Sequence, residues 1–373
     1  MIHIRTVLLP LLFLLSAPLL YAQTKGTGSV ATPPEVSIAS TQLVSINSAI
    51  TNEKYDLYIN LPRDYGDTSK TFPVVYVLDG QWDFALVESL FGQEYFDGFV
   101  PSMVVVGVTW SGADANYDSL RAGDFTPTPA RGTPQGGGAA KFLQFIKKEL
   151  VPFVESKYRV EKTGRTLIGS SLGGLFTLYA MFNEPGLFDR YILTSPAIQW
   201  DNGIIYKYEK EYAAKKDVSP ARMFIGIGGY EDLTPFNKLV ELMKSRQYSG
   251  FDLEATVLDG FGHSGAKAEG FSRGLQFVFK SKPVVLDNSV LEQYAGSYEL
   301  GPGVNAEVSI KDDLLLVQIP GQPDITLHAR DENNFYRVGS FLFVHFNKDD
   351  NGKVTGLTAE TFVGKFSAKK GEK

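Results

Sequence analysis

RTLIGSSLGGLFTLYA, residues 165–180, sets a serine between two glycines, with a short apolar run before it and a longer one behind. The first run has the length and character of a buried strand. The second is apolar on almost every face, as a helix laid against a sheet would be. The turn between them must be sharp. Gly169 and Gly173 stand two residues either side of Ser171 and let backbones approach where a Cβ would clash, which completes the G-x-S-x-G pattern of a nucleophile elbow. The same geometry serves an ordinary tight turn in an α/β core, so the surroundings have to decide between the two.

Outward from this stretch, apolar segments recur in a regular order. Residues 41–50 and 55–61 read as a first pair of strands, the second alternating as YDLYINL. FPVVYVLDG (72–80), MVVVGVTW (103–110), RTLIG (165–169), RYILTSPAI (190–198), RMFIGIG (222–228) and DLEATVLDG (252–260) bring the number to eight. Most of the later ones are continuous Val, Ile and Leu runs, the mark of a parallel sheet covered on both faces by helices. Residues 139–155 form the clearest helix, with Phe142, Phe145, Ile146 and Leu150 at helical spacing and Lys141, Lys147, Lys148 and Glu149 opposite. Residues 237–246 and 271–279 are two more, and the charged segment 204–217 reads as a solvated helix.

Lys282-Pro283 closes this region, and from Leu291 short alternating strands (NAEVSI, LLLVQI, ITLHA, NFYRV, FLFVHF) are separated by Gly, Asp and Asn. This is the spacing of an antiparallel β domain of about 80 residues. NKDDNGKVTGLT (347–358) imitates the start of a calcium loop, but Thr358 stands where a bidentate Glu is needed, so Asn351-Gly352 is read as a hairpin turn. The expected architecture is an eight-stranded α/β-hydrolase fold over residues 37–282 followed by a β domain over 291–373.

Residues 1–26, MIHIRTVLLPLLFLLSAPLLYAQTKG, combine a basic residue, a short apolar core and a small residue at Ala22, the form of a secretory signal over 1–22 with a tether over 23–36. The run falls short of the roughly 20 residues that a stable membrane span needs. A periplasmic or secreted protein is expected. The chain has no Cys among its 373 residues, which excludes disulfides and thiolate metal sites. Its net charge of −6, with Lys and Arg scattered, argues against a nucleic-acid surface.

An α/β-hydrolase needs an acid and a histidine after the elbow, in the order Ser, Asp/Glu, His. The seventh expected strand ends in GIGGYED, which places Glu231 and Asp232 on the loop beyond it, and the eighth ends in LDGFGHSG, which places His263 on the next. His3, His328 and His345 lie outside the α/β region, so His263 is its only histidine. A serine hydroxyl needs an imidazole to take its proton and a carboxylate to hold the imidazole tautomer. The oxyanion needs two backbone N–H groups, expected from Leu172, after the nucleophile, and from Gln81 in LDGQWDF. Trp82 and Arg121 follow the ends of the third and fourth strands and are candidate substrate-binding residues. No metal or cofactor is called for.

VVYVLDGQWDF, GGGAAKFLQFIKKELVPFVESKYRV, RTLIGSSLGGLFTLYA and GFGHSG, in this order, resemble the esterase-D-like branch of the α/β-hydrolases, which includes siderophore (enterobactin-type) esterases. The resemblance spans about residues 41–280 and implies serine ester hydrolysis without a cofactor; Ser170 stands where many relatives carry His. In such relatives the acid commonly stands three positions after a turn glycine. Counting from Gly228 gives Glu231 and from Gly229 gives Asp232; Gly228 directly ends the apolar run, which favours Glu231. LEQYAGSYEL and GKVTGL resemble the small β domain appended to some penicillin-binding-protein-like serine hydrolases. The expected activity is hydrolysis of a small-molecule or carbohydrate ester, such as a siderophore lactone or a polysaccharide-linked acyl ester. A peptidase or acyltransferase would use the same triad, and a ligand-binding protein could keep the fold without the chemistry.

Overall fold

The chain enters its sheet with an antiparallel pair, Thr41–Asn47 (β1) and Lys54–Asn60 (β2), and then turns to parallel pairing. Val74–Val77 (β3) leads into Gly80–Phe96 (α1), and Val104–Trp110 (β4) into Tyr117–Phe125 (α2). A long helical segment follows as Ala139–Phe145 (α3), a π-helical turn at Ile146–Leu150, and Val151–Lys157 (α4). Thr166–Ser170 (β5) opens Leu172–Asn183 (α5); Arg190–Thr194 (β6) precedes Trp200–Gly203 (α6) and Ile205–Ala213 (α7). Ala221–Gly228 (β7), Leu233–Arg246 (α8), Phe251–Leu258 (β8) and Ala266–Phe279 (α9) complete the sandwich. This computed structural model describes residues 37–215, 219–280 and 284–371. The expected leader (1–22), the tether (23–36) and Lys282-Pro283 lie outside the described residues. Among those described, no helix is long and apolar enough to cross a membrane.

The strand order is β1-β2-β4-β3-β5-β6-β7-β8, an α/β-hydrolase-like sheet. The continuous Val and Ile runs are buried on both faces because alternate residues serve two cores. Val75, Val77, Ile168 and Ile192 pack under α1 and α9 with Phe84, Phe91, Phe271 and Leu275. Val74, Tyr76, Leu78 and Leu167 pack on the other side with Phe142, Phe145, Leu175 and Phe176. The charged segment around α7 is less solvated than its composition suggested. Glu209 is fully buried and accepts from Arg246 at 2.8 and 3.0 Å and from the Tyr248 hydroxyl at 2.5 Å, so it ties α7 to the end of α8.

The antiparallel strands expected at the C-terminus are present and close on themselves. After Asn288–Leu291 (α10), Gly296–Gly301 (β9), Val304–Lys311 (β10), Leu314–Gln318 (β11), Ile325–Ala329 (β12), Asn334–Tyr336 (β13), Leu342–Lys348 (β14), Val354–Thr361 (β15) and Gly364–Lys370 (β16) close into an eight-stranded antiparallel barrel, sealed by pairing of β16 with β9. Its interior is filled by Tyr294, Tyr298, Leu315, Leu327, Phe335, Val344 and Phe346. The β14–β15 hairpin turns at Asn351-Gly352, where Asp349 accepts the Asn351 and Lys353 amides. The barrel meets the sandwich at the C-terminal end of α1, where Phe341 packs edge-on to Tyr95 at 5.1 Å and Phe362 to Phe96 at 4.7 Å. A helix of 17 residues is about 25 Å long, so this contact lies far from the other end of α1.

Candidate active site

The order of the sheet reverses at β3: the chain leaves it for β4 on one side and returns to β5 on the other. Such a switch point opens a crevice beyond the C-terminal ends of the strands. Two helices begin there, α1 directly after β3 and α5 directly after β5, and each presents first-turn N–H groups that no helical carbonyl can take. Gln81 and Leu172 belong to these two turns. Gln81 is anchored by its side chain, which accepts the Thr109 hydroxyl at 2.7 Å.

Ser171 is the residue at which β5 becomes α5. Its backbone sits at φ 57°, ψ −116°, a strained region for a residue with a side chain. Neighbouring β6 holds it there: the Ser171 N–H donates to Thr194 O at 3.1 Å and the Ala197 N–H donates to Ser171 O at 3.0 Å. A Cβ at Gly169 would fall into the Gly173 carbonyl, so the two glycines of the motif touch each other across the serine. Gly169→Ala is therefore expected to destabilise the fold by about 3 kcal/mol or more, since backbone rather than a movable side chain blocks the space; a melting-temperature comparison checks it.

The residues expected as acid and base stand beyond β7 and β8, two and three strands along from β5. Glu231, on the turn after β7, places Oε2 at 2.6 Å from Nδ1 of His263, which follows β8. Its Oε1 accepts the Ser195 hydroxyl at 2.6 Å and the Gly228 N–H at 2.9 Å. Burial would raise the Glu231 carboxyl, but Ser195, His263 and the Gly228 amide outweigh it and hold the group below the ordinary carboxylate range. Gly228 also leaves the room this needs, because a Cβ there would lie 2.6 Å from Phe261 O, 2.8 Å from Gly262 O and 3.0 Å from Glu231 Oε1. Asp232 does different work: it caps α8, accepting the Thr234 N–H at 3.0 Å, and takes a bond from Gln199 at 3.2 Å. The Glu231 bond holds the imidazole from its Nδ1 side, and among the described residues neither Nε2 nor the Ser171 hydroxyl makes a hydrogen bond.

Arg121 is placed differently from a direct substrate ligand. Its fork is committed to the fully buried Asp79, with Nε to Oδ1 at 2.9 Å and Nη2 to Oδ2 at 2.8 Å, and its plane lies 5.6 Å from the Trp82 ring. Asp79 caps α1 in the left-handed region at φ 54°. Arg121 thereby braces the turn that carries Gln81, and Trp82 remains 47% exposed above it. On the other flank of α1, Asp83 takes Lys267 of α9 at 2.8 Å. Sequence reasoning missed Asp79, Ser195 and Lys267. Each acts across 36 or more residues, in the bonds Asp79–Arg121, Ser195–Glu231 and Lys267–Asp83, and carries no local signature.

Among the described residues no group of three or more His, Asp or Glu side chains is arranged to hold a metal ion. A groove of about 520 Å3 on the barrel, lined by Arg330, Phe343, His345, Thr358, Glu360 and Lys365, pairs no hydroxyl with a base: the Thr358 hydroxyl meets Asn347 and Ser367, and His345 Nδ1 meets Asn334. Chemistry rather than volume therefore locates the site at the sheet's C-terminal edge.

A family model described as "Putative esterase" matches residues 48–249, and one described as a domain of unknown function matches residues 280–371. The ferri-bacillibactin esterase of Bacillus subtilis is 28% identical over 277 residues, covering 68% of this chain and 95% of that protein. The siderophore triacetylfusarinine C esterase of Aspergillus fumigatus is 26% identical over 265 residues, covering 62% and 90%. The crystal structure of the BES protein from Bacillus cereus superimposes with a TM-score of 0.61 at 26% identity, covering 67% of this chain and 99% of that one.

Proposed function

We propose, from the premise that this chain belongs to the Putative esterase family, that it is an exported serine ester hydrolase acting on a small-molecule ester of the siderophore type. The observation that carries the mechanism is the Glu231–His263 pair at 2.6 Å, carried by β7 and β8 at the same C-terminal edge of the sheet as the strained Ser171 after β5. Glu231 accepts a hydrogen bond from the Nδ1–H, which stays on the imidazole and fixes the tautomer with a basic Nε2. Ser171 Oγ attacks the ester carbonyl carbon as its proton passes to Nε2. The oxyanion so formed is stabilised by the N–H groups of Leu172 and Gln81 at two helix N-termini. Collapse breaks the bond to the alcohol oxygen, which takes the proton back from Nε2. Water, deprotonated by the same nitrogen, then releases the acid and restores Ser171. No step calls for a metal or cofactor.

The siderophore reading of the substrate rests on the named activities of two relatives that this chain matches over 90% or more of their length. Two exposed aromatic rings adjoin the proposed machinery in sequence, Trp82 after Gln81 and Tyr230, 80% exposed, before Glu231. They suit flat acyl groups such as the aryl arms of catecholate lactones. Turnover of a catecholate lactone set against acetyl-sugar and feruloyl esters tests this, and a preference for the sugar esters would reassign the substrate. Trp82→Ala is expected to raise KM for an aryl ester about three- to tenfold with a smaller change in kcat, because it removes stacking area and leaves the triad alone. Export rests on the form of residues 1–22, and amino-terminal sequencing of the mature protein checks it.

A further inference from the structure

The proposed triad leaves one of its close contacts without a role: the hydroxyl of Ser195. This residue directly follows β6, is 2% exposed, and donates to Glu231 Oε1 at 2.6 Å, the same length as the bond between the other carboxylate oxygen and His263. A glutamate has one more rotatable bond than an aspartate, so it can aim a carboxylate at an imidazole only if something stops the extra rotation. The Gly228 N–H at 2.9 Å supplies one fixed donor to Oε1. Alone it would act as a pivot. Ser195 supplies the second donor, from a different strand, and two donors on one oxygen fix the plane of the carboxylate.

The backbone of Ser195 adds an independent observation. It stands at φ 45°, in the left-handed region that favours glycine, and its N–H is tied to Gly226 O at 2.7 Å. Glycine would hold this turn with less strain, and the buried position gives the hydroxyl no solvent to meet. The one thing serine offers here beyond glycine is the donor to Glu231.

We infer that Ser195 is a positioning residue for the proposed reaction, holding Glu231 in the plane from which it can orient His263. The inference rests on the proposed Ser171, His263 and Glu231 assignments. It acts through Glu231 and touches neither substrate nor oxyanion.

The test uses the full chain and two variants, Ser195→Gly and Ser195→Ala. Glycine relieves the backbone and is expected to leave the melting temperature unchanged or higher, while alanine keeps the strain and loses only the hydroxyl. Both are expected to lower kcat for a p-nitrophenyl ester about tenfold to a hundredfold, with KM changed less than about twofold. In a Glu231→Gln background the same substitutions are expected to cost almost nothing further, because the carboxylate they position is gone. The far-downfield proton resonance of the His263 Nδ1–H is expected to shift in both variants, and this readout does not depend on turnover. Wild-type kcat in Ser195→Gly while Ser171→Ala is inactive would overturn the inference and leave the esterase reading standing. An unshifted imidazole resonance in both variants would overturn it even if the reaction proved to be other than ester hydrolysis. Equal losses from Ser195→Gly in the wild-type and Glu231→Gln backgrounds would also overturn it, since the effect would then not run through the carboxylate.

Discussion

Ser171→Ala is expected to abolish ester hydrolysis, lowering kcat by about a hundred-thousandfold or more, and to abolish labelling by a fluorophosphonate probe. The size follows from the chemistry. Without Oγ there is no acyl-enzyme, and what remains is the oxyanion donors acting on water. The fold is expected to survive for reasons visible at the elbow. Ser171 occupies the cap position of α5 but makes no side-chain capping bond, so its hydroxyl is not needed to start the helix. The turn is held instead by its backbone bonds to Thr194 and Ala197, and alanine at φ 57° carries the same strain as serine. The variant should therefore melt within a few degrees of the wild type. Retained labelling at a second serine, or retained turnover, would remove the elbow from the mechanism.

Glu231→Gln is expected to lower kcat about a hundredfold to ten-thousandfold, whereas Asp232→Asn should stay within about tenfold of the wild type. The asymmetry is set by the donors around Glu231. Its Oε1 position receives the Ser195 hydroxyl and the Gly228 N–H, so the glutamine carbonyl will settle there. The glutamine NH2 must then face Nδ1 of His263, which forces the imidazole proton onto Nε2 and removes the base from the atom that needs it. Asp232 points elsewhere, capping α8 through the Thr234 amide, and asparagine caps a helix about as well as aspartate. Measuring both at saturating substrate, with wild-type folding shown by circular dichroism, checks the pair. The opposite ranking would move the acid to Asp232 and leave Ser171 and His263 in place.

The strands of the sandwich were legible because burial on both faces writes itself into sequence as unbroken Val and Ile runs, and all eight stand within a few residues of their expected places. The elbow was legible for a similar reason: two backbones in contact leave room for no Cβ, and Gly169 and Gly173 record that directly. The C-terminal strands were legible one by one, but the barrel was not. Its closure depends on β16 finding β9, a pairing across most of the domain that no local pattern announces. Arg121 looked available to a substrate because a charge beyond a strand end is visible in sequence and its partner is not; Asp79 lies 42 residues away.

The amino-acid sequence by itself determined the order of the elements, the strained serine turn and the sole histidine of the sandwich, because each follows from local sterics or from composition. Only the tertiary structure set which of two adjacent acids meets His263, and brought Ser195 to that one. Both outcomes depend on the side-by-side alignment of β6, β7 and β8, in which Thr194 lies beside Gly226 and Gly228 beside Leu258. That register carries the ends of three strands to one edge, where Ser195 and His263, remote in the chain, meet Glu231 while Asp232 turns to the local cap of α8. Neighbours in sequence share composition and spacing, but a hydrogen bond depends on angle and distance, and those exist only once the strands are paired.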